Sequence, residues 1–210
     1  MIVAIDGPAG AGKSTVARAL AERLHFRYLD TGAMYRALTW LAMHRGIDLG
    51  NEAALAEIAR AEPVTFDAEG RVWIADMDVT SSIREQRIDR MVPVVARHTD
   101  VREVMRERQR ELGREGDVVI EGRDIGTVVA PQAQVKVYLV ADRDERAKRR
   151  MADRPGIGAD ALATDLKSRD EKDAERMKPA DDAQQIDTTN LRVEDVVERI
   201  EALVRERTAA

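Results

Sequence analysis

Apolar positions along this chain fall into two kinds of pattern. Short unbroken runs read as strands buried on both faces: Ile2-Val3-Ala4-Ile5, Asp117-Val118-Val119-Ile120-Glu121 and Val135 to Val140, with the shorter Gln185-Ile186-Asp187 as a further strand. Between the runs, apolar residues recur at helical spacing. Val16, Leu20 and Leu24 lie four apart with Arg18, Glu22 and Arg23 between them, and Val193, Val196, Val197, Ile200, Leu203 and Val204 form one stripe. Glu194 and Asp195 fall in the first turn of that last helix, where its dipole favours anions. Strands alternating with helices predict an α/β fold around a parallel sheet.

Two segments depart from that alternation. Val64-Thr65-Phe66 and Val72-Trp73-Ile74 flank Asp67-Ala68-Glu69-Gly70-Arg71, which reads as a β-hairpin. Helix-like stretches at 51–61 and 84–101 enclose it, so it is read as part of an insertion. The other is Asp153-Arg154-Pro155-Gly156-Ile157-Gly158, a breaker-rich stretch between highly charged helices, a composition that suits a mobile lid.

Composition narrows the class without naming a chemistry. At 210 residues, the chain is expected to form a single domain with insertions and a substantial core. A formal net charge of −5 argues against nucleic acid or a membrane surface as partner. The absence of cysteine excludes disulfides, thiolate metal sites and cysteine nucleophiles, and His25, His44 and His98 are too scattered to suggest a histidine metal site. With no signal pattern and no bilayer-length apolar run, a cytoplasmic location is expected, and a monomer is the default because no long apolar stripe is left over.

The chemistry enters between the first strand and the first helix. Gly7-Pro8-Ala9-Gly10-Ala11-Gly12-Lys13-Ser14-Thr15 fits the pattern G-x-x-x-x-G-K-[ST] in the strand–loop–helix setting that a phosphate-binding loop requires. Glycines allow positive φ and close backbone approach, so several amides converge on one anion at the helix N-terminus. Lys13 then supplies a cation for the β- and γ-phosphates of a nucleotide, and the Ser14 hydroxyl a ligand for Mg²⁺.

The loop alone leaves GTPases, ATPases and kinases open; the arginines narrow the choice. Arg36 ends Tyr28-Leu29-Asp30-Thr31-Gly32-Ala33-Met34-Tyr35-Arg36, and Arg123 lies in Glu121-Gly122-Arg123-Asp124-Ile125-Gly126-Thr127, at the carboxyl end of a strand. Both are read as adjoining strand-end glycine turns. Arg143, Arg146, Arg149, Arg150 and Arg154 lead into the breaker segment, with Asp142 and Glu145 resembling a capping box, and Arg169 and Arg176 follow it. Those helix arginines are as readily solvated faces as lid cations. Moving a phosphoryl group between two phosphorylated molecules gathers negative charge and calls for several guanidiniums, which favours a nucleotide kinase over a water-activating switch. Glu121 is the nearest candidate for a second carboxylate near the metal, its alternative being a strand-end carboxylate held by hydrogen bonds.

Over nearly its whole length the chain resembles the bacterial cytidylate kinases. The resemblance rests on Ile5-Asp6-Gly7-Pro8 through Thr15, on the Leu29 to Arg36 and Glu121 to Thr127 runs, on Arg169-Asp170-Glu171-Lys172-Asp173 through Arg176, and on Asp187-Thr188-Thr189-Asn190-Leu191. It implies a three-layer phosphate-loop kinase fold of 1–210, with a β-containing monophosphate-binding insertion at about 36–102 and a helical lid at about 150–170. It further implies ATP with Mg²⁺ as donor and CMP and dCMP as acceptors. Carried over by residue, Lys13, Arg123 and Arg176 would be catalytic, and Arg36, Arg123 and Arg176 would touch the acceptor phosphate or the transferring group. Arg102 and Asp124 would read cytosine, Arg169 and Asp173 would touch the sugar, and Thr31 would supply a small hydroxyl near the acceptor. In one place the chain departs from the family: Pro93 stands where a serine often reaches the base. The base assignment has its own physical support, since a carboxylate suits the N4 amino donor that distinguishes cytosine from uracil. Kinases of AMP, UMP or shikimate, and a nucleotide switch without an acceptor, remain the alternatives from the residues themselves.

Overall fold

The computed structural model describes residues 1–209 apart from 154–157, 159–161, 165, 168–169, 172–173 and 175–176. The chain divides into two units, residues 1–29 with 113–210, and residues 30–112.

The first unit is built on a five-stranded sheet. Strand β1 (Ile2–Asp6) lies at its centre, parallel to β6 (Val118–Glu121) on one side and β7 (Val135–Val140) on the other. β8 (Gln184–Asp187) extends the sheet parallel to β7, and β2 (Arg27–Asp30) closes the far edge beyond β6. Val3, Ala4 and Ile5 are all inaccessible to solvent, as expected of a parallel strand covered on both faces. Helices α1 (Lys13–Leu24) and α7 (Val193–Ala209) pack together, with Val16, Leu20, Val197 and Ile200 joining Val119 and Val137 in one core. Complete burial of Leu20 and Ile200 contributes roughly 1.5–3 kcal/mol each. Helix α1 ends at His25, whose left-handed φ of 56° lets Phe26 N donate to Ala21 O and His25 N to Glu22 O, a Schellman closure without glycine.

The loop between β1 and α1 depends on glycine. Gly7 has φ +144°, and a Cβ there would lie 2.2 Å from the Leu139 carbonyl oxygen of β7. Gly12, at φ 89°, turns the chain into α1.

The second unit holds α2 (Thr31–His44), α3 (Glu52–Ala61), α4 (Gln86–Ala96), most of α5 (Thr99–Gly113) and a small antiparallel sheet, with α3, α4 and the sheet packed on α2. The expected hairpin is present as β3 (Thr65–Phe66) paired with β4 (Val72–Ile74), and β5 (Met77–Asp78) adds a third strand. The turn into β5 puts both Ala75 and Asp76 at positive φ, the hairpin geometry usually filled by Asn-Gly, so its sequence carries no turn signal.

Several expectations need correcting. The helix expected over 84–101 is a 3₁₀ turn (Ser82–Arg84) followed by two helices, α4 and α5, with Arg97 and His98 between them. His98 lies at 2.8 Å from the Leu49 carbonyl through Nε2. Gly32 is not in a strand-end turn but in the first turn of α2, where the Asp30 carboxylate caps the helix by accepting from Ala33 N at 2.8 Å. At the start of helix α6 (Arg143–Asp153) the reciprocal bond of the expected capping box is replaced, because the Asp142 amide donates to Thr189 Oγ1 and the Glu145 carboxylate takes Arg149. About half of the expected lid, including 154–157 of its breaker-rich stretch, falls outside the described residues.

Candidate active site

Within the first unit, the loop at residues 7–12 is gripped from outside through its carbonyl oxygens. Arg123 Nη1 donates to Gly7 O at 2.8 Å, Lys13 Nζ to Pro8 O at 2.9 Å and Arg146 Nη1 to Ala9 O at 3.1 Å, while Thr188 Oγ1 lies within 3.1 Å of Ala11 O. Thr188 is in turn held by Arg149, through its hydroxyl at 3.0 Å and its carbonyl at 2.6 Å. Arg146 is only 7% exposed and forms an ion pair with Asp170 at 2.7 Å, so it is not the solvated helix face that its charge-rich neighbourhood allowed. Helix α1 begins at Lys13, and its first-turn amides have no carbonyl one turn earlier in the helix to bond. With the +½ charge of the helix end, this is an anion seat.

A carboxylate stands beside the loop. Glu121, 3% exposed at the end of β6, accepts from Ser14 Oγ at 2.9 Å on one oxygen and from the Tyr28 hydroxyl on the other. Arg18 lies over the Tyr28 ring, 5.5 Å from its centroid. The pairing of Ser14 with Glu121 offers hard oxygen donors, which fit Mg²⁺. Among the described residues, no cluster of three or more His, Asp or Glu could hold a metal by itself.

A second buried carboxylate was not singled out by sequence reasoning. Asp6, the last residue of β1, accepts from Ile125 N and Gly126 N, both at 2.8 Å. Burial pushes its pKa up to about 6; the two backbone hydrogen bonds pull it down and the Asp124 charge adds to the rise. The only signal in the sequence was an acidic residue at the end of an otherwise apolar run.

Asp124 itself is buried and begins the π-helical turn Ile125–Val129, where its carbonyl accepts from Val128 N at 2.9 Å and Val129 N at 3.2 Å. Lys13, Ser14, Glu121 and Arg123 are thus brought to one end of the sheet in the first unit, with Asp124 adjoining Arg123. In the second unit, Thr31 is buried at the start of α2, and Arg36, one turn later, pairs with Asp30 at 2.9 Å. Arg84 reaches the same Asp30 oxygen at 3.2 Å. Burial alone would raise the Asp30 pKa, but the two guanidiniums outweigh it and hold the carboxyl below its usual range. Arg102, in the first turn of α5, directs Nη1 toward Ala96 O at 3.5 Å. Arg169, Asp173 and Arg176 lie outside the described residues.

A family model described as Cytidylate kinase matches residues 3–206. The chain belongs to the cytidylate kinase family. Cytidylate kinase of Bacillus licheniformis is 44% identical over 216 residues, covering 97% of this chain and 96% of the relative. Those of Anoxybacillus flavithermus and Bacillus subtilis are 47% and 43% identical, with 98% of this chain covered in each case and 96% and 97% of the relatives. Membership makes the chain a nucleoside-monophosphate kinase, a phosphotransferase with ATP as its phosphoryl donor. Solved structures share the fold at low identity: shikimate kinase from Bacteroides thetaiotaomicron has a TM-score of 0.53 at 18% identity, covering 98% of each chain. A gluconokinase from Sinorhizobium meliloti has a TM-score of 0.51 at 15% identity, covering 99% of this chain and 93% of that one. Among the described residues, no helix is long and apolar enough to cross a membrane.

Proposed function

We propose that this protein transfers the γ-phosphoryl group of ATP to CMP and dCMP, giving CDP and dCDP. In this reading residues 7–15 cradle the ATP phosphates, and Lys13 leaves its perch on Pro8 O to meet the β- and γ-phosphates. Mg²⁺, held by Ser14 with Glu121 beside it, would neutralise charge on the phosphate oxygens when bound. Arg36, Arg123 and Arg176 hold the acceptor phosphate, Arg102 and Asp124 read cytosine, Arg169 and Asp173 contact the sugar, and Thr31 lies by the acceptor. The insertion at about 36–102 carries the monophosphate side, and the segment at about 150–170 acts as lid.

No protein base is needed, because a CMP phosphate oxygen is already anionic at neutral pH. Catalysis is then positioning, charge neutralisation and exclusion of water. Rejection of UMP follows from the same contacts: uracil lacks the N4 donor, so the Asp124 carboxylate would be left without its partner. The observation carrying the reading is Arg123, assigned to the acceptor phosphate yet hydrogen-bonded at 2.8 Å to the first carbonyl of the donor loop. That contact supports a role for Arg123 between the donor and acceptor phosphates.

The net charge of −5 supports a cytoplasmic enzyme of small molecules rather than a partner of nucleic acid or membrane. A monomer is supported by the surface, on which Met151 is the exposed large apolar side chain among the described residues. The test is ADP release with ATP against CMP, dCMP, UMP, AMP and dTMP. CMP and dCMP should give the highest turnover; a preference for AMP or UMP, or release that ignores every monophosphate, would refute the assignment.

A further inference from the structure

Where β1 passes into the donor loop, Asp6 and Gly7 each touch the segment carrying Arg123 and Asp124. Gly7 O accepts from Arg123 Nη1 at 2.8 Å, and the two Asp6 carboxylate oxygens accept separately from Ile125 N and Gly126 N, each at 2.8 Å. Asp124 sits between these attachments.

The local backbone explains why such an anchor is needed. The turn over Ile125–Val129 is π-helical, with Val129 N bonded to Asp124 O at 3.2 Å and Ala130 N to Ile125 O at 2.8 Å. Turns of this kind are rare, and their first amides have no carbonyl behind them to bond. Ile125 and Gly126 are buried, so water is a poor substitute partner. The Asp6 carboxylate, itself 6% exposed, is the acceptor that β1 places there. The fit is close on the other side too: a Cβ on Gly126 would meet Asp6 Oδ2 at 3.4 Å and Lys136 Cδ at 3.3 Å.

We infer that Asp6 is a positioning residue for recognition of the cytosine base: by fixing the amides of Ile125 and Gly126 it sets where Asp124 stands relative to the donor loop. It touches neither substrate and acts through Asp124. The inference rests on the reading that Asp124 contacts the base. An isosteric Asp6→Asn keeps one oxygen for one amide but turns an NH₂ against the other. The π turn then loses an anchor directly after Asp124, while residues 7–15 keep their sequence and their glycines.

The experiment is steady-state kinetics of Asp6→Asn, Gly126→Ala and Asp124→Asn with CMP, UMP and ATP, each variant first checked by its circular dichroism melt. Asp6→Asn is expected to raise KM for CMP and narrow the CMP-over-UMP preference by about tenfold, the scale of one hydrogen bond to a charged group, with KM for ATP within about twofold. Gly126→Ala should move the same two quantities in the same direction, and it carries the test if Asp6→Asn does not fold. An equal rise in KM for ATP and CMP would make Asp6 a general support of the donor loop and overturn the inference. So would an unchanged CMP-over-UMP ratio in both variants while Asp124→Asn narrows it. If Asp124→Asn leaves the ratio unchanged, the underlying base assignment fails, and the inference fails with it.

Discussion

Removing the Asp30 carboxylate should cost the protein roughly 4 kcal/mol, and the figure can be assembled from three contacts. Asp30 Oδ1 caps α2 by accepting from Ala33 N at 2.8 Å, and losing an N-cap costs about 1 kcal/mol. Asp30 Oδ2 accepts from Arg36, whose side chain is 19% exposed and whose Nε is buried without a partner. Stripping the counter-charge from a fully buried cation costs about 3–5 kcal/mol, and partial exposure of Arg36 places it near the low end, about 3 kcal/mol. Arg84 is half exposed, so its share is well under about 1 kcal/mol. Asp30→Asn retains an oxygen for the cap and loses only the charge, so about 2–3 kcal/mol of the loss should remain. The assay is urea unfolding of wild type, Asp30→Ala and Asp30→Asn at constant m-value. The pH dependence has a defined sign. The folded pKa of Asp30 is depressed, so its stabilisation is complete above the unfolded value of 3.8 and lost as pH falls through the folded one. The gap between wild type and Asp30→Asn should therefore narrow as pH falls below the unfolded value of 3.8. An Asn variant as stable as wild type at neutral pH would show that the ion pair has no net worth.

Three further outcomes test other parts of the reasoning. Lys13→Met should lower turnover by about 10²–10³-fold with an unchanged melting temperature, the effect of losing one key electrostatic donor; near-normal turnover would refute its role. Gly7→Ala should lose at least about 3 kcal/mol, since it combines φ +144° with a Cβ placed 2.2 Å from Leu139 O. Gly46→Ala, at φ +66° with no atom within 4 Å, should lose only about 1–2 kcal/mol, and equal losses in the two variants would contradict the steric account. Asp6, raised from 3.8 to about 6, favours the folded state in its protonated form, so that contribution is lost as pH rises through about 6. Melts of wild type and Asp6→Asn from about pH 4 to pH 7 should show wild type losing up to about 3 kcal/mol relative to the variant; parallel curves would sink the assignment.

What could be read in advance followed from how each segment is covered. β1, β6 and β7 are buried on both faces, and such strands show as unbroken apolar runs. β2 was missed because it is an edge strand of Arg-Tyr-Leu-Asp with Arg27 exposed, too short and polar to stand out. β5 was missed because Ala75 and Asp76 adopt positive φ without a glycine to announce it. In the site, Lys13 and Ser14 were legible because the glycines around them serve a local backbone geometry. The hydrogen bonds of Asp6 and Tyr28 were not, since each joins a partner more than ninety residues away.

By itself, then, the sequence determined the donor loop, the principal strands of the parallel sheet and the family, because glycine φ requirements and apolar periodicity are written in neighbouring residues. Tertiary structure alone decided which groups serve that loop. Parallel pairing of β1 with β6, in the register Ile5 to Glu121, brings Glu121 to Ser14, Arg123 to Gly7 O and Asp6 to the amides of the π turn. The folding of α6 against the loop converts Arg146 from a surface charge into a buried brace on Ala9 O. Hydrogen-bond partners are set by strand register and packing across long stretches of chain, and no local pattern encodes that distance.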